Sequence, residues 1–517
     1  MLKSSGAMAA ATLMSRVLGM VREMVYARFM GDGWVAGAFV LAFMIPNLFR
    51  RLLGEGALTA AFIPIFKEKE KQEGESEMWR AANVVISGLL IAAGILVVLV
   101  CAGISAVLAF GTFEPTTKLM LEILRVVFPY MLLVCVAAMF MAMLNARGLF
   151  FLPALGATLL NLVMIPVVLF VAPKWGVQLE EQIFALAFAV LIAGVAQAGF
   201  MIPALRKEGF RFRWIRPQGD PVVKEVVAKM IPGMIGVAAF QLNVLLTQSV
   251  AFAVDGSIVA SYNYAVRLLE LPQGIFGVSL ATYLLPTLSG LAAEKKFDRY
   301  KATLTEGLGY VIFVNALAAV LLVVLAEPIV RLLFERGEFT ADATNRVAVA
   351  LMWLGPGLVP YSLVLILARA FYALGDTQTP MKISALCLGL NLVLVCVLIG
   401  PYQQAGMAMA NSVTALLNAI LLLVALRKRI GSIGLRSLLA MIIQVICAMV
   451  LAGAMAWFLH GWWMHRFGAA TIWEKIGEVF VPAGLASLAY LFFAFGLKMK
   501  VARDLVGMLG RKRGRGT

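Results

Sequence analysis

Stretches of about 20 apolar residues, each long enough to cross a bilayer core as a helix, recur along the whole of this 517-residue chain. About fourteen can be read between interruptions by Gly, Pro and charge. They start near Ala7, Val35, Ala81, Leu119, Leu152, Gln182, Val226, Ile258, Thr303, Ala341, Lys382, Gly406, Leu438 and Glu474. The chain is 62% apolar and 14% charged, whereas a soluble domain is about half apolar and about a quarter charged. That balance excludes a soluble multidomain enzyme, a disordered chain and a coiled coil. The runs are continuous rather than alternating, which excludes a β-barrel. The expected fold is an all-α polytopic membrane protein with about fourteen transmembrane helices.

Lys and Arg number 44 against 28 Asp and Glu, a net charge of +16. In a membrane protein such an excess sits in short loops and sets orientation, so nucleic acid is not an expected partner. Alternate loops are basic: Lys67 to Arg80, Arg206 to Lys224, Lys295 to Lys301, Arg427 to Arg436 and the tail from Lys498 to Arg515. The intervening loops hold little beyond Lys118, Lys174, Arg336 and Arg466. The basic side is read as cytoplasmic, with both termini on it. The first apolar run carries Arg16 and Arg22 and reads as a retained span, not a cleaved signal. The segment from Arg206 to Pro221 mixes cations with aromatics. It reads as a topology anchor or as a surface for acidic lipid.

The chain also repeats itself. Pro129 in FPYMLL corresponds to Pro360 in VPYSLV, Pro153 to Pro380, and Asn161 to Asn391, each pair about 230 residues apart. FIPIFKEKEK from Phe62 similarly resembles LLPTLSGLAAEKK from Leu284. Landmarks in one order at nearly one offset indicate a duplicated unit. The expected division is an N-terminal six-helix lobe over 1–222, a second over 223–436, and two extra helices with a basic tail over 437–517. An even number of spans per unit gives both units one orientation, a parallel repeat of the kind that moves substrate by rocking one half against the other.

Ionisable residues at bilayer depth are costly and face a cavity or a partner. In the first run, Arg16, Gly19, Arg22, Glu23 and Tyr26 share about a third of a helix circumference, with Arg28 off that arc. In the second, Asn47, Arg50, Arg51 and Gly54 share an arc after Pro46, with Glu55 next. In the eighth, Asn263, Arg267, Glu270 and Gly274 do so around Pro272. Arg16, Arg22, Arg50 and Arg267 are the candidate substrate-binding residues, because guanidinium is permanently charged and grips phosphate through paired donors. Glu23, Asn47, Arg51, Glu55 and Glu270 are candidate gating groups or charge partners. The alternative for these arginines is salt bridging between helices, or snorkelling, which suits Arg28 and Arg51 best. Arg369 and Arg147 read as structural, with Arg369 tying a span end to the turn at Asp376.

No GxxxxGK[ST] loop, HExxH or nucleophile elbow occurs, so no catalytic residue, metal site or cofactor is expected. Cys101, Cys135, Cys387, Cys396 and Cys447 lie in apolar runs without a CxxC pair. His460 and His465 flank Trp462 and Trp463 and read as an interfacial loop. Energy is expected from an ion gradient or the membrane potential, with the coupling ion unknown.

SRVLGMVREMVYARFMG from Ser15, PNLFRRLLGEGALTAAFIPIF from Pro46, YAVRLLELPQGIFGVSLATYLLPTLS from Tyr264 and FYALGDTQTP from Phe371 resemble the MurJ/MviN lipid II flippases. The likeness spans nearly the whole chain. It implies a member of the multidrug/oligosaccharidyl-lipid/polysaccharide exporter superfamily in the bacterial cytoplasmic membrane. The implied substrate is lipid II, undecaprenyl-pyrophosphate-linked disaccharide-pentapeptide, flipped from inner to outer leaflet for peptidoglycan synthesis. It also implies possible contact with the cell-wall synthesis machinery. By the resemblance, Arg16, Arg22, Arg50 and Arg267 bind the headgroup, and the last two helices form a groove for the lipid tail. Asn391, Asn411 and Thr414 are polar candidates for the family's sodium site. Gly37 and Val266 stand where some relatives carry acids. Alternative readings are a flippase for another polyprenyl-pyrophosphate-linked saccharide, a multidrug or cation antiporter of the same fold, and a non-transporting scaffold.

Overall fold

A computed structural model describes residues 2–52, 58–432 and 434–503, and side chains from residue 14 onward. Every regular element among the described residues is a helix. The chain divides into two compact units, Met1–Ala260 with Arg336–Phe339, and Ser261–Glu335 with Thr340–Thr517.

The first unit contains α1 (Leu2–Met30), α2 (Trp34–Phe49), α3 (Leu58–Glu73), α4 (Glu75–Phe110), α5 (Pro115–Val127), α6 (Tyr130–Ala146), α7 (Phe151–Pro166), α8 (Leu179–Lys207) and α9 (Pro221–Val254). The division between units falls within α10 (Gly256–Pro272). The second unit continues with α11 (Ser279–Ala293), α12 (Phe297–Val324), α13 (Ala326–Phe334), α14 (Ala341–Leu354), α15 (Leu358–Ala373), α16 (Gln378–Ile430), α17 (Leu435–Arg466) and α18 (Ile472–Gly496).

Among the described residues, eleven helical stretches are long and apolar enough to cross a membrane, or twelve if the pair α5 and α6, bent by 41°, is one span. α16 enters that count once although it holds two of the expected runs, which turn at Gln403 with φ 48°. α1, which carries Arg16, Arg22, Glu23 and Arg28, is outside the count. All the expected runs start on helices. α9, which starts the lobe expected over 223–436, packs against α2, α3 and α4 within the first unit. α17 and α18 pack on each other, and α17 also packs on α12.

Proline marks where these helices change pitch. Pro166 is followed by a π-helical stretch, Val167–Val171, and Pro272 by another, Gln273–Val278. Proline lacks an N–H and crowds the preceding carbonyl, and a wider turn relieves both. α2 runs through Pro46 and widens to π geometry only at residues 50–52.

Each unit has its own core. In the first, Phe62, Phe66, Met78, Trp79, Phe140 and Phe210 cluster together. In the second, Tyr300, Phe313, Phe371 and Tyr490 are buried together. The Tyr300 hydroxyl donates to the Ala370 carbonyl (2.7 Å) and that of Tyr490 to the Phe313 carbonyl (2.8 Å). Burying a phenol is tolerable only with such a partner. On the outside, α4 presents Val98 and Leu99 about two-thirds exposed, as a lipid-facing helix requires.

Glycine allows one unusually close approach. A Cβ on Gly37 of α2 would lie 2.0 Å from the Gly256 carbonyl oxygen at the start of α10. Position 37 therefore has no room for any side chain in this arrangement.

Candidate functional site

The charged arc of α1 is held by α7. Arg22 donates through Nη1 to Asn161 Oδ1 (3.1 Å) and through Nη2 to Glu23 Oε1 (2.6 Å). Its guanidinium lies 5.4 Å from the centre of the Tyr26 ring, within range of a cation–π attraction. The Arg22 and Glu23 side chains are 14% and 12% exposed. Asn161 also donates to the Ser15 carbonyl (3.4 Å). Gly19 faces Asn161, so no side chain blocks the approach. Arg22 Nε is buried and makes no hydrogen bond. Arg16, two turns earlier, is exposed.

The C-terminal end of α1 is closed by the segment Arg336–Phe339. The Glu338 amide donates to the Arg28 carbonyl (3.0 Å). Gly337, at φ +60°, brings its backbone against that carbonyl, where a Cβ would lie at 2.4 Å. The Arg28 side chain is exposed.

On α2, Asn47 Oδ1 accepts from Arg50 Nε (2.7 Å). Both Arg50 and Arg51 fall in the π turn and are partly buried. Glu55, with Gly54, lies outside the described residues. In the second unit, Arg267 Nη1 donates to Glu270 Oε2 (2.9 Å), with side chains 41% and 48% exposed. Such an open i,i+3 pair contributes little stability. The structure thus brings together Arg22 with Glu23, Arg50 with Asn47, and Arg267 with Glu270. No group of three or more His, Cys, Asp and Glu able to hold a metal occurs among the described residues.

Two residues outside the expected set hold a buried or partly buried cation. Asn161 is legible in sequence only as a repeat landmark, and its counterpart Asn391 donates to Thr414 Oγ1 (3.2 Å) in the second unit. Glu478, fully buried on α18, accepts from Arg331 Nη1 (2.6 Å) and lies 3.0 Å from His460 Nε2. A Glu and a His inside apolar runs were the available signal. His460 and His465 stand on the last turns of α17, not in a loop, because the helix continues to Arg466.

The remaining charges tie helix ends. Arg147 bonds Glu208 (2.9 Å) and pairs with Glu70 and Glu75, joining α3, α4, α6 and α8 at one end of the first unit. In the second unit the equivalent turn carries the opposite sign. Asp376 accepts from the Thr379 amide (3.0 Å) and hydroxyl (2.8 Å) and pairs with Arg429. The Thr379 amide, helped by Arg429, holds the Asp376 carboxyl below its ordinary value. Arg429, not Arg369, is therefore the cation at this turn. Arg369 sits four residues before the helix end, whereas Arg429 reaches the turn from the end of α16.

The sequence model of the family described as Lipid II flippase MurJ matches residues 26–475. A lipid II flippase MurJ of Burkholderia cenocepacia is 35% identical over 86% of this chain and 88% of its own length. A probable lipid II flippase MurJ of Vibrio cholerae is 32% identical over 97% of both chains. Among solved structures, a lipid II flippase MurJ in an inward closed conformation superposes with a TM-score of 0.77 at 22% identity, covering 96% of this chain and 99% of the other. An inward-facing multidrug resistance transporter of the MATE family gives 0.65 at 15% identity, covering 83% and 98%. The structural likenesses show that this chain shares the fold of these two proteins. The sequence matches go further: this chain belongs to the MurJ lipid II flippase family.

Proposed function

We propose that this protein flips lipid II from the inner to the outer leaflet of the bacterial cytoplasmic membrane by alternating access. Arg16, Arg22, Arg50 and Arg267 bind the pyrophosphate headgroup. The reading rests on the substrate named for its relatives and on one observation in this chain. Three of these permanently charged guanidinium groups, those of Arg22, Arg50 and Arg267, stand within apolar helices, each beside an acid or amide that orients it. No bond is made or broken, so the protein is a transporter and not an enzyme.

The geometry of Arg22 supports an exchange. One N–H is given to Asn161 and one to Glu23, while Nε has no partner. A phosphate oxygen arriving at Nε meets a guanidinium already oriented by Asn161. Paired contact through Nε and Nη2 then requires displacement of Glu23. Glu23 is the internal anion that the pyrophosphate replaces, and it neutralises Arg22 again once the substrate leaves. Glu270 plays this part for Arg267. A ligand that binds one conformation better than another shifts the population by that difference.

Both termini face the cytoplasm in this account, with the basic loops on that side. The energy comes from the membrane potential or an ion gradient. About 2.3 kcal/mol per charge per 100 mV, with the inside negative, favours outward movement of an anionic headgroup.

The test is binding of a short-chain lipid II analogue to the purified protein. Charge-assisted hydrogen bonds contribute about 1.5–3 kcal/mol, so Arg267→Ala should weaken binding by about tenfold to a hundredfold. Wild-type affinity in Arg267→Ala, or equal binding of an analogue with an uncharged link in place of pyrophosphate, would overturn the assignment.

A further inference from the structure

The connection from α8 to α9 is not a slack loop. Residues 210–217 run as an extended strap along α4, pinned at regular intervals. Phe210 is buried, its ring 5.5 Å from that of Trp79 and 6.1 Å from that of Phe140. The Asn83 amide grips the strap from both sides, donating to the Arg211 carbonyl (3.1 Å) and accepting from the Arg213 amide (3.0 Å). One turn further along α4, the Ser87 hydroxyl accepts from the Ile215 amide (3.3 Å). Pro217 is buried against Gly88, where a Cβ would already lie 3.4 Å from the proline ring. Asp220 closes the segment, capping α9 at the Val222 amide (2.9 Å) and pairing with Arg80 (3.0 Å). These anchors on α4 recur at helical spacing, so one face of the helix holds the strap.

What the strap displays outward is one-sided. Arg211, Arg213 and Arg216 are exposed, and between them Phe212 and Trp214 are 50% and 59% exposed. Arg206 and Lys207 are exposed at the end of α8 just before it. The only acids in the segment are spent elsewhere, Glu208 on Arg147 and Asp220 on Arg80. Among the described residues none of these five cations has an ion pair. Asn83 lies about 12 Å along α4 from its start at Glu75, where the helix passes from its charged first turns into its long apolar run. A passage from charged to apolar residues is where a headgroup layer is expected to meet a spanning helix, and there Trp and Phe rings settle and basic side chains meet lipid phosphate.

We propose that the Arg211–Trp214–Arg216 strap is a binding surface for anionic phospholipid headgroups of the leaflet on the basic side of the protein. The aromatic rings enter the acyl boundary and the three arginines engage the phosphates. Asn83 and Ser87 hold the backbone extended, so the cations are presented as a fixed row. The reading is independent of lipid II, because it concerns the resident bilayer and not the transported molecule.

The test uses the full chain in vesicles containing phosphatidylglycerol or phosphatidylcholine with brominated acyl chains, which quench nearby tryptophan. The Trp214 component is the part of the emission lost in Trp214→Phe. We expect brominated phosphatidylglycerol to quench it with a relative affinity several-fold above that of phosphatidylcholine. The ratio should fall to about one in the variant R211Q/R213Q/R216Q and should shrink at high salt as screening shortens. Lys174→Gln, an exposed cation in the α7–α8 connection, should leave the ratio unchanged. Asn83→Ala keeps every cation and should lower the ratio by releasing the strap. A wild-type ratio near one, a ratio that survives in the triple variant, or an equal fall in Lys174→Gln would overturn the proposal. Near-wild-type thermal midpoints in detergent for all variants establish that the losses are local.

Discussion

Replacing Arg22 breaks the tie between α1 and α7 at its centre. The Glu23 carboxylate, 12% exposed, is then left without its cation. Breaking a buried pair in this way costs about 3–5 kcal/mol, and the residual exposure places this case at the low end. Asn161 loses the donor to its Oδ1, about a further 1 kcal/mol. Loss of the Tyr26 contact adds about 0.5–1 kcal/mol. Together Arg22→Met should destabilise the protein by about 4.5–5 kcal/mol. Glu23→Gln should cost less, because the amide oxygen still accepts from Arg22. The double variant should cost less than the sum by about 2 kcal/mol, the coupling expected of residues in one network. The assay is denaturant unfolding of the four proteins of this cycle in one micelle composition. Additivity within about 0.5 kcal/mol would refute the reasoning, since it would mean that Arg22 and Glu23 do not share their burial.

Other consequences are independent of this pair. Gly37→Ala places a Cβ 2.0 Å from the Gly256 carbonyl, and separating the two backbones should cost about 1–3 kcal/mol; an unchanged thermal midpoint would contradict it. Glu478→Ala should cost about 2–3 kcal/mol by leaving Arg331 and His460 without their shared acceptor, and Glu478→Gln should cost less. The Asp376 carboxyl is held below its ordinary value of 3.8. Its contribution to stability is therefore full above that value and is lost as pH falls through the lower folded value. The midpoint difference between wild type and Asp376→Asn should stay level from neutral pH down to about 4.5 and shrink below it. A difference that grows on acidification would show the sign to be wrong.

The helices were legible because a span is a local property, about 20 apolar residues with breakers at its ends. Ala7, Val35, Ala341 and Leu438 each fall on the helix expected there. The π turns after Pro166 and Pro272 follow from a residue that cannot continue the ladder. Where the sequence misled, the deciding contact was distant. Asp376 takes its cation from Arg429, 53 residues away, not from Arg369 nearby. Arg22 takes its amide from Asn161, 139 residues away. Periodicity places a residue on an arc, whereas its partner depends on which helix packs there. The His460 region reads as a loop because Trp and His belong to interfaces, yet α17 carries them on its final turns, where His460 meets the buried Glu478.

The central claim is that arginines in apolar helices carry an anionic headgroup across the bilayer. Arg267 tests it most cleanly, because its pair with Glu270 is open to solvent and removing it should leave the fold intact. In a bacterium depleted of its own lipid II flippase, the measurement is lipid II exposed on the outer face, with this chain expressed as wild type or as Arg267→Ala at equal membrane levels. Wild type should restore exposure and Arg267→Ala should not. Exposure restored equally by both, or by neither although the wild type is inserted, would contradict the account.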